Sequence, residues 1–216
     1  MNSTIIEEYI ETGNHQDLEL LLSQDPSVVN QKTSHDISPL LLSCYYQKPQ
    51  ITQVILKFIS TITIHEACAT GLTSHIQMMI EHKKDVVNEL SDHGFTPLGI
   101  AAHFGKEEIV RLLLLHHANP NICSQNGYST YPLHAALAIN HSDISKMLIE
   151  AGAEVNVLQY GGIAPIHQAA GHGNIDLIIA LLEQGADITI RTNAGQSASD
   201  IAADKGFNEI ATILRV

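Results

Sequence analysis

Apolar residues in this chain come in short helical bursts separated by turn residues. The clearest burst runs from Asp92 to Asn121, DHGFTPLGIAAHFGKEEIVRLLLLHHANPN. Leu98, Ile100, Ala101 and Ala102 give one predicted helix a narrow face of small residues, and Ile109, Val110, Leu112, Leu113 and Leu114 give a second one a broad apolar face. Pro97 suits a first helical turn, where its missing N–H costs little, and Thr96 before it offers a capping oxygen. Gly105 falls where one helix must stop and the chain reverse, a position that favours positive φ. The segment is therefore predicted as turn, helix, tight loop, helix, loop, and neither helix can bury its apolar face alone.

Repetition supplies the missing neighbours. The position held by Pro97 recurs at Pro39, Thr63, Pro132, Pro165 and Ala198, with successive intervals of 24, 34, 35, 33 and 33 residues. A period near 33 marks a solenoid. The words FTPLGIAAHFGKEEIVRLLL, YPLHAALAINHSDISKMLI, APIHQAAGHGNIDLIIALL and SASDIAADKGFNEIATIL resemble successive ankyrin repeats, as do ISPLLLSCYYQKPQITQVIL and GNHQDLELLLSQDPSVVN. The resemblance runs from Thr4 to Leu214 and implies an all-α ankyrin-repeat solenoid, a single domain of stacked helix-loop-helix units with short β-hairpin or turn fingers. Seven repeats fall at residues 4–35, 36–60, 61–90, 91–123, 124–157, 158–190 and 191–214, the first and last serving as caps.

Several repeats depart from the pattern. Lys48-Pro49 stands where others place glycine, so that loop is expected to turn by proline. The short interval before Thr63 removes about nine residues from the period, so the finger between repeats two and three should be vestigial and residues 58–64 the least stable. Two more residues separate Gly127 from Pro132 than separate Gly94 from Pro97, which predicts a longer fifth finger exposing Tyr128 and Tyr131. Asp204, Lys205 and Asn208 suit a last repeat that faces water.

Charge narrows the partners. Eleven Lys and Arg against 23 Asp and Glu leave −12, which disfavours nucleic acid and anionic membrane and steers in a protein partner with a basic surface. Cys44, Cys68 and Cys123 form no CxxC pair, so they read as small core residues in a reducing compartment. The opening MNSTIIEEYIETG carries acids where a signal peptide carries Lys or Arg, and no apolar run is long enough to span a bilayer. A cytoplasmic protein, or a translocated effector, is expected, and the glycosylation-like triplets at Asn2 and Asn140 then carry no meaning.

Candidate chemistry is thin. No phosphate-binding loop, zinc-protease helix or nucleophile elbow occurs. Gly171-His172-Gly173 begins like a dinucleotide loop, yet it lacks the last glycine and joins two predicted helices where a strand is needed. His65, His134 and His167 hold one place in three repeats, where the resemblance implies a hydrogen bond to neighbouring backbone. One repeat apart, they are too distant to share an ion at about 2.0–2.1 Å. His116-His117 reads as a solvated pair near a helix C-terminus. Glu7-Glu8, Glu107-Glu108 and Glu150 with Glu154 read as surface acids compensating helix dipoles, not as an acid–base pair. No catalytic residue, metal site or cofactor is nominated.

The resemblance also implies a concave binding face built from finger tips and first helices. Its contact positions here are His35, Ile37, Tyr45 and Tyr46 in repeat two and His93, Phe95, His103 and Phe104 in repeat four. Repeat five contributes Tyr128, Tyr131, Ala138 and Ile139, and repeat six Tyr160, Ile163, Gly171 and His172. In repeat seven the set turns polar, with Asn193, Gln196, Asp204 and Lys205. Seven of the ten Phe and Tyr residues fall on this face, where packing does not ask for them. The expected function is a monomeric, non-catalytic protein–protein interaction module, similar to small ankyrin proteins that act as bacterial effectors or toxin-neutralising partners. Truncating Phe95, Phe104 and Tyr131 together is expected to abolish partner capture without lowering the melting temperature. The competing expectation is an enzyme or metal-dependent regulator using His93, His103, His134 and His172.

Overall fold

The computed structural model describes residues 5–215; the Asn2 triplet and the expected start of the first repeat at residue 4 lie outside them. Fourteen α-helices follow one another among these residues, in two compact units, one ending at Leu72 and the other starting at Thr73. The first unit holds α1 (Ile5–Thr12), α2 (His15–Gln24), α3 (Pro39–Tyr45), α4 (Pro49–Phe58) and α5 (Ile64–Thr70). The second holds α6 (Thr73–His82), α7 (Pro97–His103), α8 (Glu107–Leu115), α9 (Pro132–Ala138), α10 (Ser142–Glu150), α11 (Pro165–His172), α12 (Ile175–Glu183), α13 (Ala198–Asp204) and α14 (Asn208–Ile213). Short 3-10 turns, Pro26–Asn30 and Lys84–Asn88, follow α2 and α6.

Local chemistry sets the helix ends. Ser38, Thr96 and Ser197 accept from the backbone N–H groups of Leu41, Gly99 and Asp200, and Pro39, Pro97, Pro132 and Pro165 occupy first turns. The first helix of each pair stops at a left-handed residue, glycine in most repeats but Gln47 (φ 53°) and Asn140 (φ 56°) in two. The loop of repeat two therefore turns at Gln47, while Pro49 opens α4; the expectation that proline makes that turn is corrected. In repeat three a capping box between Thr63 and Glu66 replaces the proline start.

In the first unit α1, α3 and α5 pack in a row and α2 packs against α4, around Ile6, Ile10, Leu18, Leu22, Leu40, Ile51 and Ile55. The link from α4 to α5 forms no finger, and Phe58, Ile59 and Ile62 pack against this core. Glu7 corrects the reading of the acid pairs as surface groups. It is buried, and its carboxylate accepts from the Ser34 N–H, joining α1 to the loop that precedes α3.

In the second unit α7, α9, α11 and α13 form an inner row in which each helix packs on the next. Ala101, Ala102, Ala135, Ala136, Ala169, Ala170 and Ala202 are buried there, and their small side chains let the backbones approach. Behind the row α8, α10 and α12 bury Ile109, Leu113, Ile144, Leu148, Leu177 and Leu181. Each such side chain contributes about 1.5–3 kcal/mol when removed from water.

Two lines of hydrogen bonds tie neighbouring repeats of this unit. At the finger tips, Gln125 N–H donates to Gly94 O, Tyr160 N–H to Tyr128 O and Asn193 N–H to Gly161 O, all at 2.8 Å. At the far loops, Asn88, Asn121 and Asn156 each accept from a backbone N–H one repeat on, at Asn119, Glu154 and Asp187, again at 2.8 Å. The fingers are turns: among the described residues the one isolated bridge joins Gln159 to Ile163. The fifth finger is the longer one expected. It closes from Ser124 N–H to Thr130 O, whereas the fourth closes from Ser91 N–H to Phe95 O.

The finger ladder gives a paired test. A Cβ on Gly94 (φ 72°) would meet the Gln125 backbone at 2.9–3.1 Å, while one on Gly127 (φ 85°) would meet nothing within 4 Å. Both substitutions carry a left-handed strain of about 1–2 kcal/mol, but only Gly94→Ala also pushes two repeats apart. Urea unfolding is expected to find Gly94→Ala clearly less stable than Gly127→Ala; equal losses would contradict the close contact.

Candidate protein-binding face

The positions expected to touch a partner divide between the two units, and each set is described in its own unit. In the second unit the most exposed aromatic positions are on the fingers of repeats five and six. Tyr128 is 59% exposed and Tyr160 71%, and their rings meet edge to face with centroids 5.7 Å apart. The same two residues are linked by the Tyr160 N–H to Tyr128 O bond, so backbone geometry fixes the spacing of the rings. Leu158 beside them is 47% exposed and Ile139, after α9, 42%.

Other expected positions sit deeper. Phe95, Phe104 and Tyr131 are half-buried, as are His93, His103 and Ile163. The Phe104 ring stands edge to face on His103 at 4.9 Å. Tyr131 lies 5.7 Å from the His134 ring, and burial, followed by Cys123 and Glu154, raises its hydroxyl pKa. The expectation that Tyr131 is freely exposed is thus corrected. Truncating Phe95, Phe104 and Tyr131 would remove packing as well as surface, so that triple variant cannot separate binding from folding. His172 is exposed, with Nε2 3.2 Å from Ala138 O.

In the first unit Tyr45 and Tyr46, at the end of α3, are 39% and 40% exposed. Tyr46 donates to Glu11 Oε1 at 3.2 Å, and this bond raises its pKa. His35 is exposed, with Nδ1 3.8 Å from Glu7 Oε1. Ile37 packs against the core, and its carbonyl closes the finger by accepting from Thr33, so its role is at least partly structural.

The recurrent histidines are not on any face. His65, His134 and His167 are buried. His134 Nε2 lies 2.9 Å from Ile163 O and His167 Nε2 3.0 Å from Ile190 O; a carbonyl only accepts, so each Nε2 carries the proton. His167 Nδ1 accepts from Ala164 N–H at 2.9 Å, whereas His134 Nδ1 is buried with no hydrogen-bond partner. Adding a proton to His134 therefore places an unsatisfied charge in the core, and burial lowers its pKa to about 4. The competing expectation used His134 as a surface ligand, and its burial corrects that placement. Among the described residues no group of three or more His, Cys, Asp and Glu side chains could hold a metal ion, and no helix is long and apolar enough to cross a membrane.

Charge in repeats five and six is one-sided. From Ser124 to Ile190 the chain has six acids, all exposed, and one basic residue, the half-buried Lys146. Neither finger carries a charged side chain of its own. What the sequence reading missed is the asparagine ladder and the buried Glu7. The recurrence of Asn88, Asn121 and Asn156 at 33 and 35 residues was a visible signal for the former.

Paired short helices, left-handed stops and one-repeat-apart hydrogen bonds define a helical repeat protein. A family model described as Ankyrin repeats (3 copies) matches residues 7–124, 64–159, 113–192 and 133–215, and the chain belongs to that family. It is 39% identical over 66 residues to an ankyrin repeat-containing protein of Schizosaccharomyces pombe, a match covering 31% of each chain. It is 25% identical over 147 residues to Ankyrin repeat and SAM domain-containing protein 6 of Rattus norvegicus, covering 68% of this chain and 14% of that one. With the putative ankyrin repeat protein YahD of Escherichia coli it shares 28% over 139 residues, 58% of this chain and 68% of that one. The chain thus spans less than a third of the first two relatives. Ankyrin repeats are generally protein–protein interaction modules.

His134 makes stability depend on pH. The unfolded state takes up its proton near pH 6.5 and the folded state only near 4, so between these values the unfolded state binds more protons. The contribution is whole above pH 6.5 and is lost as pH falls toward 4, by on the order of 3 kcal/mol. Burial lowers His167 in the same direction. Urea midpoints from pH 7.5 to 4 are expected to fall for the natural chain and to fall less for His134→Gln, whose amide can still donate to Ile163 O; parallel profiles would contradict this.

Proposed function

We propose that this chain is a non-catalytic binding module that grips a protein partner through the finger tips and first-helix ends of its second unit, acting as a monomer in the cytoplasm. The observation that carries the reading is the Tyr128–Tyr160 pair. Two large rings stand mostly in water on adjacent fingers whose spacing is fixed by backbone hydrogen bonding, and the core is complete without them. Tyrosine buries much area at low rotamer cost, which is why it concentrates in interface hot spots. A scaffold held by inter-repeat hydrogen bonds also loses little conformational freedom on binding. Half-buried Phe95, Phe104 and Tyr131 would support the contact from below, and Tyr45 and Tyr46 offer a second aromatic surface in the first unit. A bacterial effector or a toxin-neutralising protein is a setting in which such a module would act.

Affinity capture with mass spectrometry, run with the natural chain and with Tyr128→Ser/Tyr160→Ser, tests this. A protein retained by the natural chain and reduced at least tenfold by the double variant, with unchanged circular dichroism, is the expected result. Equal retention by both would overturn the placement of the site.

A further inference from the structure

The chemistry of the partner can be taken one step further, and the step rests on the reading just given. We propose that the surface of repeats five and six takes an extended basic segment, with an arginine or lysine side chain seated against the Tyr128 and Tyr160 rings and an apolar neighbour on Leu158.

Three features of the surface lead there. First, the rings touch edge to face at 71° and yet Tyr128 and Tyr160 are 59% and 71% exposed, so ring surface outside their mutual contact stands open to water. A ring face carries the negative end of the aromatic quadrupole and attracts a cation above it, and guanidinium binds there more often than ammonium. Second, no cation of this chain is available in either finger: residues 124–131 and 157–164 hold no Lys or Arg. Third, repeats five and six and the chain as a whole are acidic. Residues 124–190 carry six exposed carboxylates and a single half-buried lysine, within a chain of net charge −12. A basic segment is therefore drawn in by charge and held by the rings, whereas an acidic one is repelled before contact.

A random dodecapeptide library displayed on phage, panned on the intact chain, supplies the probe; an enriched peptide is then synthesised with fluorescein and titrated. Enrichment in Arg or Lys is expected, with affinity falling at least tenfold for Tyr128→Leu/Tyr160→Leu and less than threefold for Tyr128→Phe/Tyr160→Phe. Replacing the key arginine by citrulline, equal in shape and uncharged, should weaken binding to a similar degree. Tyrosine-dependent peptides without basic residues would overturn the basic segment while leaving the protein-binding reading intact. Basic peptides that bind equally to the leucine variant would overturn the seat on the rings, and dimerisation lost in the leucine variant would make a second copy the occupant instead.

Discussion

The inner row of the second unit depends on how closely four short helices can approach. A seven- or eight-residue helix is not stable alone in water, because nucleation costs more than so few hydrogen bonds return. Buried alanines remove the bulk between α7, α9, α11 and α13, and close backbones then bring the fingers within reach of one another. The ladder from Gly94 to Gln125, from Tyr128 to Tyr160 and from Gly161 to Asn193 follows from that spacing. So do the seats of His134, whose Nε2 reaches Ile163 O on the next finger, and of His167, whose Nε2 reaches Ile190 O. Packing, fingers and histidines are consequences of one constraint.

The same constraint separates fold from recognition. His134 holds the finger that carries Tyr160, since Ile163 accepts both from His134 and from Gln159. Tyr160 gives its backbone N–H to Tyr128 O, and the Tyr128 N–H donates to Asn126 Oδ1, so both residues serve the fold through their backbones while their rings touch each other. Surface chemistry can change at such positions while the stack stays as it is, which is how one repeat architecture serves many partners.

Much of this was legible in the sequence because it is periodic. Proline at N1, the left-handed stop and the alternating apolar bursts recur, and each leaves a mark every 33 residues or so. Features set by one-off contacts were not legible. Gln47 takes a glycine's conformation at φ 53°, its N–H donating to Cys44 O. Glu7 looks like a dipole-compensating surface acid until the Ser34 N–H is placed over it. Tyr131 and Tyr128 sit three residues apart on one finger, and only the path of the turn tells that one leans on His134 while the other stands in water. Which of the expected positions stand in water and which are half-buried was not readable from the sequence.

The claim on which the account turns is that the two most exposed rings are dispensable to folding. Equilibrium urea unfolding of Tyr128→Ser/Tyr160→Ser beside Leu133→Ala measures this directly. The account predicts a loss within about 0.5–1 kcal/mol for the tyrosine pair and about 2–5 kcal/mol for the fully buried leucine. A tyrosine variant as destabilised as the leucine variant would mean that the rings are part of the core, and the surface would lose its argument for a partner.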